Sequence, residues 1–165
     1  MASSSAADPF IARLLAACPE LQAAWDGERT DDKDEPLPYM QAAALAQVVV
    51  DAYSKGQTTC FTELFQEVEA VVAGGAAKEQ DLAIVGFLED LQSAAGWAQV
   101  EPDVFRRWLG PKSLEAWEGL FKMWQEIGRK KASGELPPGP FDTHQPNITD
   151  PVLKKIFRSI YRPPR

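Results

Sequence analysis

Between Gln80 and Leu91 the apolar residues leave little of a helix for water. Leu82, Val85, Phe87, Leu88 and Leu91 recur at spacings of three and four, and Ala83 and Ile84 widen their stripe past a half-face. So narrow a polar edge predicts a central helix over 77–94 with other helices around it. The same period returns along most of the chain. Phe10, Ile11, Leu14 and Leu15 predict a first helix that opens at Asp8–Pro9 and ends by Cys18. Pro19 then opens a short helix that presents Leu21 and Trp25 and stops at Gly27. Met40, Ala44, Leu45, Val48, Val49 and Ala52 predict a helix over 39–54; its Val48–Val50 run alone would suit a strand, but the Ala-rich flanks favour helix. Phe61, Leu64, Phe65, Val68, Val71 and Val72 predict another over 60–73, capped by Thr58 or Thr59 and ended by Gly74–Gly75. Links this short predict that 39–54, 60–73 and 77–94 pack as antiparallel neighbours.

Pro102 begins a short helix with Val104, Phe105, Trp108 and Leu109 inward, and Gly110–Pro111 stops it. Ser113 is placed to cap a last long helix, in which Leu114, Trp117, Phe121 and Trp124 form one row expected to be core. The pattern is therefore all-α, an irregular single-domain bundle of about seven to eight helices. The bundle domain takes 1–132. A Pro/Gly-rich connector follows over 133–149, and a basic amphipathic helix over 150–165 carries Val152, Ile156, Phe157 and Ile160 on its apolar side.

With 45% hydrophobic residues in a chain of 165, one core can form without a staple. Cys18 and Cys60 lie in apolar helical contexts and are expected as buried thiols. The N-terminus has no basic start or long apolar run, and no stretch approaches a membrane span, so a cytoplasmic setting is expected, with the Asn147–Ile148–Thr149 sequon unglycosylated. Net charge is −7, unevenly spread. Lys154, Lys155, Arg158, Arg162 and Arg165 against Asp150 give the last sixteen residues +4, leaving −11 for the rest. An acidic body repels nucleic acid and attracts cationic partners.

Candidate chemistry is sparse. The single histidine, His144, sits in the connector, where a base is poorly held, and no His/Cys metal spacing occurs. Asp32 and Asp34 alternate, but the loop lacks the glycine and bidentate glutamate of a calcium loop. Gly74–Gly75 lacks the lysine and hydroxyl of a phosphate loop. No cofactor, metal or catalytic residue is therefore expected. Glu89 and Asp90 on the central helix are read as its wet edge or, if an enzyme were present, as its acids.

The motifs PELQAAW, LPYM, IVGFLEDLQ and LGPK, in that order, resemble an uncharacterised family of small acidic helical bacterial proteins over roughly residues 8 to 120. No activity comes with that resemblance; by size and charge such proteins are similar to immunity proteins, which bind and silence a toxin. The expectation is a non-enzymatic module that covers a basic surface of a protein partner, without nucleic acid or membrane. Its interface would comprise the acidic run Asp26, Glu28, Asp31, Asp32, Asp34 and Glu35, flanked by Trp25 and Tyr39 as aromatic anchors. The alternative is an assembly protein that docks or oligomerises through its C-terminal arm by Ile156, Phe157, Ile160 and Tyr161.

Overall fold

The computed structural model describes residues 7–29 and 37–135. Their regular structure is helical, with no strand among them. In chain order they form α1 (Pro9–Ala17), a 3₁₀ turn (Pro19–Leu21), α2 (Gln22–Glu28), α3 (Pro38–Ser54), α4 (Phe61–Gly74), α5 (Ala77–Asp81), a π-helical segment (Leu82–Leu88), α6 (Glu89–Trp97), a 3₁₀ segment (Pro102–Trp108) and α7 (Pro111–Ala132).

The N-terminal hook is fastened by three polar groups that act in series. Asp8 caps α1 as expected, its carboxylate accepting from the Phe10 amide at 2.9 Å. The Asp8 amide in turn donates to Gln41 Oε1 at 2.8 Å, and the Gln41 main-chain carbonyl accepts from Trp25 Nε1 at 3.0 Å. Gln41 is wholly buried in α3, so each bond also satisfies a group that water cannot reach. Trp25 thus locks α2 and the start of α1 to α3, with the Arg29 guanidinium 4.6 Å above its ring.

The most enclosed helix is α3 rather than the stretch at 77–94. Ala42, Ala43, Ala44, Leu45, Ala46, Val48, Val49, Val50 and Ala52 are all buried, which covers nearly its whole circumference. Small side chains let a neighbour approach closely, and the neighbour is the π-helical segment followed by α6. Gly86 completes the fit: a Cβ there would stand 3.2 Å from Tyr39 Cδ1, 3.4 Å from Ala42 Cβ and 2.9 Å from Leu82 Cδ1. Of the neighbours expected among three successive helices, α4 does meet α5 and the π-helical segment, and α3 meets the π-helical segment and α6, but α4 packs chiefly on α1 and α7 instead of on α3.

Within Leu82–Leu88 the backbone bonds reach one residue further than in an α-helix, as in the Glu89 amide donating to the Ile84 carbonyl. A wider turn rotates the stripe. Leu82, Ala83, Gly86, Phe87 and Leu88 are buried, whereas Val85, expected inside on α-helical spacing, is exposed. Phe87 meets Phe65 of α4 and Phe10 of α1 at ring-centroid distances of 6.2 and 6.4 Å. Phe61, Phe105 and Trp108 extend this aromatic cluster to Tyr53 of α3, the Phe61–Trp108 pair crossing edge to face at 5.0 Å.

The start of α7 is capped from outside its own sequence. Ser113, expected as the cap, is buried one turn inside the helix, and Gly110 precedes it. Glu69 of α4 supplies the missing acceptor: its carboxylate takes the amides of Lys112 at 2.9 Å and Ser113 at 2.8 Å. Burial pushes this carboxyl up, but the bonds from Ser113 and Lys112 outweigh it and hold the group below its usual range. Gly110 has to be small here, because a Cβ would fall 2.5 Å from Glu69 Cδ. The caps expected for α4 are also absent, since Cys60 precedes it without a capping hydrogen bond from its side chain and Thr59 instead donates to Glu20 at 3.4 Å.

Cys60 has a different role. It is joined to Cys18 in a disulfide with the Cα atoms 5.3 Å apart, which corrects the expectation of two free thiols. The two residues lie 42 positions apart, too far for a sequence to show that they meet.

Candidate functional site

Of the residues expected at an acidic interface, Asp31, Asp32, Asp34 and Glu35 lie outside the described residues, as do Ile156, Phe157, Ile160 and Tyr161 of the alternative. The others divide. Trp25 is 1% exposed and committed to Gln41, so it is a core residue and not a surface anchor. Asp26 is exposed on α2, accepting from Gln22 at 3.2 Å, and Glu28 is half-buried two residues on. Tyr39 is at the surface, 47% exposed.

Tyr39 is not alone there. Leu37, two residues before it, is 43% exposed, and Val85 on the π-helical segment is 44% exposed. Tyr39 bridges the two elements: its ring rests beside Gly86, the neighbour of Val85, and its hydroxyl donates to Asp81 at 3.2 Å. Partial burial, the bond to Asp81 and that carboxylate's charge all raise the phenol, so it stays a neutral donor. The result is a junction of α3 with the π-helical segment that carries one exposed aromatic and two exposed aliphatic side chains and the Asp81 carboxylate. Leu37 and Val85 carried no sequence signal for this role. Val85 surfaces only because the π turn rotates it outward, and the helical period alone places it in the core.

Glu89 and Asp90 follow directly on the π-helical segment. Burial raises the Glu89 carboxyl. Burial, and then the charge of Glu89, push Asp90 up to about 7. The wet edge expected from sequence is therefore only half wet. Because Asp90 binds its proton more tightly when folded than unfolded, its contribution is harmless below about pH 4 and becomes a growing cost as pH rises towards 7. Asp90→Asn is expected to flatten the loss of stability between pH 4 and 7 and to gain about 2 kcal/mol at pH 8, after allowing for partial solvation of the side chain. Urea unfolding of both proteins across that range measures it; equal slopes with pH would remove Asp90 as the cause.

Among the described residues, no helix is long and apolar enough to cross a membrane. A domain of unknown function, DUF7674, matches residues 11–125. The chain belongs to the DUF7674 family. No curated protein matches it, and no solved structure does. The DUF7674 region begins within α1, holds the Trp25–Gln41 lock, Tyr39 and Asp90, and ends within α7. The family is thus an uncharacterised one, as its motifs suggested, and the bundle it forms is all-helical.

Proposed function

We propose that this protein is a non-enzymatic binding module whose Leu37–Tyr39–Val85 patch, continued by the acidic run from Asp26 to Glu35, covers a basic surface of a partner protein. The observation that carries the reading is the half-exposed ring of Tyr39 lying beside Gly86 with its hydroxyl on Asp81, where the chain neighbours Leu37 and Val85 are also exposed. A restrained aromatic beside a charged rim loses little freedom on binding and can supply most of the affinity. The carboxylates then speed the encounter and disfavour anionic partners. An immunity-type inhibitor that silences a toxin fits this description, as does a bacterial, cytoplasmic setting. In that setting Cys18 and Cys60 would be thiols held within bonding distance.

Affinity capture from the native cell, followed by mass spectrometry, is expected to yield one dominant basic protein. Tyr39→Ala is then expected to weaken its binding about thirtyfold, mainly by faster dissociation. Replacing Asp31, Asp32, Asp34 and Glu35 by their amides is expected to slow association and reduce its salt dependence. A captured partner whose binding ignores both changes would place the interface elsewhere and end this reading.

A further inference from the structure

The helix α7 outruns the body that it packs on. Ser113, Trp117 and Leu120 are buried along its first half, and Phe121 is half-buried with its ring edge-on to Trp117 at 5.8 Å. Beyond that point the apolar spacing continues although the core has stopped. Met123 is 41% exposed and Trp124 42%, and Ile127 is half-buried. The row expected to be core throughout is therefore core only as far as Phe121. A stripe of aromatic and aliphatic side chains left open to water marks a surface that something covers.

The sequence supplies a fitting cover within the same chain. After α7 comes the Pro/Gly-rich run at 133–149, and then Val152, Ile156, Phe157 and Ile160 at helical spacing. We propose that residues 150–162 fold back as an antiparallel helix onto the Phe121–Ile127 face of α7 in their own chain.

Reach, packing and charge all favour this occupant. The 17 residues at 133–149 would, as a coil, span roughly 20–25 Å, enough to turn the chain back along α7. Such a tether gives an effective concentration in the millimolar range, well above that of any second copy at ordinary protein concentrations. The antiparallel register that sets Ile156 against Trp124 also sets Phe157 against Met123 and Leu153 against Ile127. In that register Asp150 lies at the basic end of α7, beside Lys130, while Lys154 comes opposite Glu126, whose carboxylate already holds Arg129 at 2.9 Å. Arg158 opposite Lys122 is the one unfavourable pairing, and both side chains can turn to solvent. A parallel register that kept Ile156 against Trp124 would make three like-charge pairings, Asp150 with Glu118, Lys154 with Lys122 and Arg162 with Lys130, against one favourable one, Arg158 with Glu126.

Hydrogen exchange of the full chain, read by mass spectrometry, tests the placement. Exchange at 150–162 and at 121–132 is expected to be slowed about tenfold or more relative to unprotected peptide, equally at low and high protein concentration, in a sample that light scattering shows to be monomeric. Phe157→Asp is expected to remove that protection from both segments, and Trp124→Glu from 150–162, with α3 and α4 unchanged as the control for folding. Protection that grows with concentration alongside a dimer mass would assign the face to a second copy and overturn the proposal. So would unprotected exchange at 150–162, or a Phe157→Asp variant whose 121–132 segment is unaffected.

Discussion

Trp25→Ala is expected to cost about 3–5 kcal/mol of unfolding free energy, the upper range for a buried side chain. Two losses combine. The indole is 1% exposed, so its removal leaves a large cavity between α2 and α3 into which the packed surroundings relax only in part. Its Nε1–H also fixes α2 to the Gln41 carbonyl, and Gln41 in turn orders the Asp8 cap of α1. The damage should therefore spread to the whole N-terminal hook. Trp25→Phe keeps most of the apolar area and is expected to cost less, about 1–2 kcal/mol, from the lost bond and imperfect fit. Tyr39→Ala, by contrast, should change stability by less than about 1 kcal/mol, because its ring is half in water and its bond to Asp81 is exposed. Denaturant unfolding followed by circular dichroism separates these outcomes without relying on the fluorescence of the residue removed. A Trp25→Ala protein as stable as its parent would return Trp25 to the surface and undo the distinction between core and interface.

That distinction shows how far sequence reasoning carried. Periodicity located the helices well: Asp8 and Pro9 start α1, Gly110 and Pro111 separate the 3₁₀ segment from α7, and the buried faces of α1 and α4 follow their spacing. It failed where a feature depends on a residue distant in sequence. Glu69 caps a helix that begins 42 residues later, and no local pattern says that Ser113 will be enclosed instead. It also failed where the backbone itself changes pitch. Val85 was placed inside on a period of 3.6, which the π turn does not keep. Trp25 illustrates a third limit, since an aromatic beside an acidic run reads equally as anchor and as core until its neighbours are known. The surface patch was legible only at Tyr39, because Leu37 and Val85 become exposed neighbours through the folding of two separate elements.

Reducing the Cys18–Cys60 bond is expected to lower stability by about 2–4 kcal/mol. The magnitude follows from the loop that the bond closes: a separation of 42 residues removes much of the freedom of the unfolded chain, and the entropy of that closure corresponds to about 4 kcal/mol before any native strain is subtracted. Position decides what the loss disturbs. Cys18 is the junction between α1 and the 3₁₀ turn, and Cys60 immediately precedes α4. The bond therefore ties the hook to α4 near their packed contact, where the exposed Arg13–Glu67 ion pair adds little by itself. Urea unfolding with and without reductant should show a lower midpoint in the reduced protein and a slope that steepens as its unfolded chain expands. An unchanged midpoint, with thiol titration confirming that the bond had been present and was broken, would refute the stabilising role. The same chemistry bears on where the protein works, because a reducing cytoplasm would keep the two sulfurs as thiols and hold the protein at the lower stability. Alkylation of the protein in rapidly quenched native cells reads that state directly: two blocked thiols support the cytoplasmic setting, and none would move the protein to an oxidising one.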